Sequence, residues 1–403
     1  MSAGLAYCDK ASRIYFDEEA TPLPDGGIVR EVLADELIPA PPGAVPVILP
    51  GRRPVTTAGV EGRRFALAMI LPAGYTRLLV PAYEKESDGP TLPLFGYTFA
   101  CVVDDSLHVA AMRTDEGEDW QPRVYLQGQL EEMLDRRLAT DPDNRVLRQV
   151  ALCSRDYGCF TAQNVFLERG EAALPVSPKC NARCVGCISE LEPDAGLASP
   201  QTRIAYEPSD DELARVAVHH FERDEDGIVS FGQGCEGEPL LRSIAIARAI
   251  ERIRLRRGNG TINLNTNGSM PASLERCIDA GLQAVRISLN AFRPDVYAAY
   301  YRPQGYDLDD VFGSIRLASQ RGLRVSLNLL THPGVTDDAP ELAAMTEFLR
   351  DVRVDMIQTR TLNIDPECYF DAVGRPREPL GMRHAIATIR EQHVRVGNFT
   401  HTH

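Results

Sequence analysis

From residue 172 onward short apolar runs alternate with helical segments, and this alternation limits the fold more than any other feature of the chain. Expected strands cover 173–176, 228–231, 261–265, 284–289, 324–330 and 356–362, with helices at 209–222, 240–256, 271–280, 308–321 and 339–352. A helix-length connection cannot be a tight hairpin, so consecutive strands are expected to pair in parallel through right-handed crossovers. Six such units, rather than eight, predict an α/β fold in the form of a partial (βα)6 TIM-like barrel. The C-terminal ends of its strands would then carry the chemistry.

Residues 1–150 have a different texture. Short apolar runs at 47–49, 65–71, 77–81, 97–103 and 107–112 are punctuated by Pro50-Gly51 and Asp88-Gly89-Pro90, which points to short, mostly antiparallel strands. One helix is expected over 126–139, where Leu126, Leu130, Met133 and Leu134 share a face. A length of 403 residues exceeds one ordinary core. The expected organisation is a smaller, mostly β N-terminal domain over 1–150 for accessory or substrate-recognition work and a linker at 151–171. The barrel follows at 172–370, and a C-terminal helix and tail at 371–403.

With 43 basic against 57 acidic residues the net charge is -14, which disfavours a phosphate backbone as partner. The four arginines between Arg252 and Arg257 read as the solvated end of a helix. No run of about 18 apolar residues is present, and the start has no charged segment followed by an apolar one, so no membrane association is expected and a cytoplasmic location is. Ten cysteines then read as thiols and metal ligands rather than disulfides.

Three of them fall in one loop directly after the first expected strand: Pro178-Lys179-Cys180-Asn181-Ala182-Arg183-Cys184-Val185-Gly186-Cys187. Three thiolates on a short loop can hold a [4Fe-4S] cube and leave one iron without a protein ligand. A structural zinc site would want a complete tetrahedral set, and no paired CxxC or HxxxH lies nearby to complete it. Coincidental core cysteines are the other plain alternative.

This three-then-two spacing after the first barrel strand resembles the radical S-adenosylmethionine (SAM) superfamily. The resemblance covers about residues 172–365 and does not reach the N-terminal portion. It implies that Cys180, Cys184 and Cys187 ligate the cluster, that the open iron binds SAM, and that electron transfer into the sulfonium yields a 5′-deoxyadenosyl radical. Val185 and Gly186 stand where most members carry an aromatic residue.

Phe231-Gly232-Gln233-Gly234-Cys235-Glu236-Gly237-Glu238-Pro239 ends the second strand and looks like the family's Gly-Gly-Glu-Pro segment, with Glu236 in place of the first glycine. The resemblance implies that Gly237, Glu238 and Pro239 bind the SAM amino group, whereas an ordinary βα turn is the plain alternative. Ser288 and Asn290 alternate toward one face of the fourth strand and are expected at SAM, unless they merely cap the following turn. Arg360, on the sixth strand with Gln358 and Leu362, is expected to bind the SAM carboxylate or a substrate anion, or else to form a structural ion pair.

The remaining cysteines read mostly as packing. Cys153 and Cys159, with Cys8 or Cys101, could in principle hold a second metal, and Cys235 could donate a hydrogen atom, but small buried hydrophobes are the default. His401 and His403 close a short tail that reads as solvated. The resulting expectation is an enzyme that uses a [4Fe-4S] cluster and SAM, with an external electron donor such as flavodoxin or ferredoxin. Its substrate is open: a peptide or protein bound by strand addition is slightly favoured, then a small metabolite, then RNA. A non-catalytic iron–sulfur electron carrier or sensor is the reading from a different class.

Overall fold

The computed structural model describes residues 3–9, 11–59, 64–115, 127–361 and 364–398. The expectations that rest on Leu126, Leu362, His401 and His403 fall outside them. The fold is α/β. Seven parallel strands lie in chain order, each hydrogen-bonded to the next: Glu171–Leu174, Ile228–Phe231, Thr261–Thr266, Ala284–Leu289, Arg324–Thr331, Met356–Thr361 and Arg395–Gly397. Helices Asp210–Arg223, Ser243–Arg256, Pro271–Asp279, Leu308–Gln320 and Ala339–Asp351 supply the crossovers.

The strands have two unlike faces. Val285, Ile287, Leu289, Val325, Leu327 and Leu329 are at most 1% exposed and pack with the helices in one large core. The alternate positions are polar: Asn263, Arg286, Ser288, Ser326, Asn328 and Gln358. A parallel strand buried on both faces would ordinarily be apolar throughout.

Several boundaries differ from the sequence reading by a few residues, and two differences have a clear physical cause. The first strand begins at Glu171 because this carboxylate is buried against Arg286 at 2.9 Å and accepts from the Ser230 hydroxyl, so its charge does not exclude it. A seventh strand corrects the expected six. Its three residues are too few for a periodicity and are held by pairing Met356 with Arg395 and Ile357 with Val396.

The N-terminal strands form an antiparallel sheet in the order Ile14–Asp17, Leu5–Cys8, Phe65–Ile70, Tyr97–Val103, Ser106–Arg113, Leu37–Pro39. Residues 151–171, expected as a linker, instead hold the end of helix Arg145–Asp156, helix Phe160–Leu167 and the start of the first parallel strand. Val146, Leu147, Val150, Val165 and Phe166 from these helices belong to the same core as the parallel sheet.

The N-terminal strands meet the far side of the parallel sheet through buried polar ties. Arg52, fully buried, pairs with Asp365 at 2.5 Å, and the Leu92 N–H donates to the same carboxylate oxygen at 2.8 Å. Arg77, also fully buried, donates to the carbonyls of Tyr97 and Thr331. Thr76 and Thr359 share a hydrogen bond between their hydroxyls. At Gly96 the contact is so close that a Cβ would lie 2.6 Å from Cβ of Thr361.

Candidate functional site

The cysteine loop leaves the C-terminal end of the first parallel strand and is fixed from three sides. The N–H groups of Arg183 and Val185 donate to the carbonyls of Tyr301 and Tyr300, and Gln304 N–H donates to the Asn181 carbonyl, so the loop runs beside the chain that follows helix Pro294–Tyr301. Asn181 is held at the end of the third strand, where its amide donates to Ser269 Oγ at 2.8 Å and its carbonyl oxygen accepts from Asn267 Nδ2 at 2.9 Å. On the remaining side, Gly237 N–H donates to Ser177 O and Glu238 N–H to Lys179 O, both at 2.8 Å. Gly237 is required by this approach, because a Cβ there would sit 2.0 Å from the Lys179 carbonyl oxygen.

Two carboxylates, both nearly unexposed, organise this junction from beneath. One oxygen of Glu236 accepts from the N–H groups of Val176 and Ser177 at 2.8 and 2.7 Å, and the other accepts from Gln233 N–H at 2.7 Å. It thereby ties the end of the second strand to the start of the cysteine loop. Glu238 accepts from Leu240 N–H, Thr266 Oγ1 and Asn267 N–H. Its carboxylate caps the short helix Pro239–Arg242 and joins it to the third strand end. Burial pushes Glu236 up to about 8 and Glu238 up to about 7, against the lowering effect of their donors.

The three thiols share this setting. Burial pushes Cys180 up to about 11 and Cys184 well above the ordinary thiol range, and the neighbouring loop sulfurs add to both. Arg203 Nη2 donates to Cys187 Sγ at 3.5 Å and its Nε to Ser189 Oγ at 3.2 Å. Among the described residues no set of three or more His, Cys, Asp or Glu side chains lies close enough to grip one metal ion. Desolvated thiols that resist ionisation need a strong local positive charge, which coordinated iron supplies.

Residues 174–345, from the end of the first parallel strand into helix Ala339–Asp351, match the model of the Radical SAM superfamily. The chain carries a radical SAM domain over these residues. Members of that superfamily use a [4Fe-4S] cluster and SAM, and the cysteine loop of this domain has the donor set to hold the former.

Curated relatives include the GTP 3′,8-cyclase of Limosilactobacillus fermentum, 28% identical over 186 residues, which are 45% of this chain and 51% of that protein. The GTP 3′,8-cyclase of Streptomyces coelicolor is 31% identical over 177 residues, 42% of this chain and 48% of that protein. The chain thus spans about half the length of the curated relatives it matches. Among solved structures, a radical SAM methyltransferase from Sphaerobacter thermophilus superposes with a TM-score of 0.41 at 17% identity, covering 56% of this chain and 64% of that one. That likeness is too loose to carry an argument.

The other residues singled out in the sequence are placed unequally. Ser288 is half-buried on the polar face, with no hydrogen-bond partner among the described residues. Asn290 is fully buried. Its amide donates to Val296 O and Tyr369 OH, and its Oδ1 has no partner. Arg360 donates to Asn328 Oδ1, Gln358 Oε1 and Asn398 O, and no carboxylate among the described residues lies within ion-pair distance of it. Burial, with Arg286 as the next cause, brings it down to about 10.

Cys235 is buried and hydrogen-bonded to Cys153, a contact that raises the first thiol and lowers the second. Cys8 and Cys101 are in the core of the antiparallel sheet.

Sequence reasoning missed the tyrosines behind the loop. Tyr297 and Tyr301 stack at 4.6 Å, Tyr300 meets Tyr301 edge-on at 5.2 Å, and all three lie close enough to Cys184 for its charge to affect them. Their spacing of three and four residues on one helix was the available signal. Arg203 carried no signal, since only the fold brings it to Cys187.

Proposed function

We propose that this protein reductively cleaves SAM at a [4Fe-4S] cluster held by Cys180, Cys184 and Cys187, and takes hydrogen from a small polar metabolite. The observation that carries the reading is the loop itself: three half-buried thiols after a parallel strand's C-terminal end, locked against Gly237 and Glu238 by two backbone hydrogen bonds. When bound, the cluster and SAM supply one-electron cleavage of a carbon–sulfur bond and hence a carbon radical.

The chain's own residues hold and orient. Glu236 and Asn181 set the loop's position, and Arg203 places positive charge beside Cys187. The tyrosines of helix Pro294–Tyr301 keep water from the thiols on the side of Cys184. Ser288 and Arg360 offer donors on the polar face to SAM or substrate. Glu238 and Asn290 bond inward, so their part is to position Gly237 and the end of the fourth strand rather than to reach the cofactor.

The sheet is read as a partial barrel. Glu171 on the first strand touches Arg286 on the fourth, yet flat strands about 4.8 Å apart would separate these backbones by roughly 14 Å. A small metabolite is favoured over a peptide because the matched relatives are named for GTP, a small molecule. An external flavodoxin or ferredoxin would supply the electron.

The test is anaerobic reconstitution followed by incubation with SAM and dithionite. The wild type is expected to release 5′-deoxyadenosine at least tenfold above a Cys184→Ala variant. Equal yields from the two proteins, with iron loaded in the wild type, would overturn the reading.

A further inference from the structure

At the N-terminal ends of the parallel strands, opposite the cysteine loop, lies a pocket of about 170 Å³. Six consecutive strands line it, from Ile228 on the second to Arg395 on the seventh. A volume of that size equals five or six waters at about 30 Å³ each, enough for a small ion and part of its hydration. The interior of a closed parallel barrel is ordinarily filled by branched apolar side chains. Here the wall carries Arg286, Arg324 and Arg395, together with Thr261, Asn263, Ser326 and Gln358.

Three arginines line this space and two carboxylates lie near them. Glu171 pairs with Arg286, which is only 6% exposed. Asp355 faces the pocket but is already occupied: one oxygen accepts from Val325 N–H at 2.8 Å, and the other from Arg353 Nε and Nη2 at 3.1 and 2.7 Å. Neither Arg324 nor Arg395 has an ion-pair partner among the described residues, and the buried Ser326 hydroxyl makes no hydrogen bond there. In a chain of net charge -14, such a concentration of donors and positive charge focuses an attractive field for anions on one cavity.

We propose that this pocket binds a small oxyanion, a phosphate or carboxylate group, with Arg324 and Arg395 as its charged donors and Ser326 as a neutral one. Guanidinium forks match both groups bidentately, which is why the two are named together. The site's charged donors lie at the strand ends opposite the cysteine loop, and it meets the upper polar face through Gln358, which accepts from Arg360.

Isothermal titration of the full reconstituted chain with inorganic phosphate and, separately, succinate tests it, with chloride at matched ionic strength as reference. Saturable binding of at least one anion is expected, weakened tenfold or more by Arg324→Ala and by Arg395→Ala. Arg324→Lys, which keeps the charge without the fork, is expected to fall between. Tighter phosphate would mark a phosphorylated ligand, and tighter succinate a carboxylate. Formation of 5′-deoxyadenosine by the variants is expected to match wild type, which separates this site from the radical reading. Absence of saturable binding to either anion, or equal binding by folded Arg395→Ala, an exposed position, would overturn the proposal.

Discussion

Glu236 shows how one side chain sets the geometry of a loop it does not belong to. Its carboxylate is 4% exposed and satisfies three backbone N–H groups, two of them at the entry to the cysteine loop. A buried donor left without a partner costs about 1–3 kcal/mol, so Glu236→Ala is expected to lower stability by about 3 kcal/mol or more. The expected signature is a lower urea midpoint together with iron content reduced at least twofold after reconstitution. Unchanged iron retention would show that the loop holds its shape without this tie. The sequence marked Glu236 as a departure from a glycine, but its three partners lie 3, 59 and 60 residues away and only folding collects them.

At the scale of elements, helix Ala339–Asp351 carries a pH response. Glu341 in its first turn is buried, accepts from Phe292 N–H at 2.5 Å and leaves Oε2 without a partner. Burial pushes it up to about 7 from an ordinary value of 4.5. Below about pH 4.5 the group is protonated whether the chain is folded or unfolded. As pH rises from there toward 7 the unfolded chain ionises first, so stability falls, and above about 7 the loss is complete. A shift of that size corresponds to about 3 kcal/mol. Glu341→Gln is therefore expected to match wild type in urea denaturation at pH 4.5 and to exceed it at pH 8, and equal midpoints at both pH values would refute the assignment.

The whole molecule depends on the contact between its N-terminal strands and the parallel sheet. Arg52 and Asp365 are fully buried, 313 residues apart in sequence, and paired. Removing one partner of a buried pair leaves a desolvated charge and typically costs 3–5 kcal/mol. Asp365→Ala is expected to lower the unfolding free energy by about that amount, measured by chemical denaturation, whereas Asp371→Ala, at an exposed position of the helix that follows, is expected to change it by less than about 1 kcal/mol. The same ties bear on the N-terminal region. Truncation to residue 127 would expose Thr331, Thr359, Thr361 and Asp365, so an insoluble product is expected, checked by expression of the shortened chain. No helix among the described residues is long and apolar enough to cross a membrane.

The sequence alone determined the strand–helix alternation, and with it the parallel sheet, because a period of two or 3.6 is a local property that burial of one face enforces. It placed Ile228–Phe231 and Ala284–Leu289 at their observed ends, and it marked Cys180, Cys184 and Cys187 because their spacing is itself local. Tertiary structure decided what no window of the chain contains. It paired Arg395–Gly397 as a seventh strand, drew helices Arg145–Asp156 and Phe160–Leu167 into the main core, and turned Glu238 and Asn290 inward. It also brought Arg286, Arg324 and Arg395 around one cavity. These arrangements depend on which distant groups meet, and a hydrogen bond or ion pair is indifferent to the number of residues between its partners.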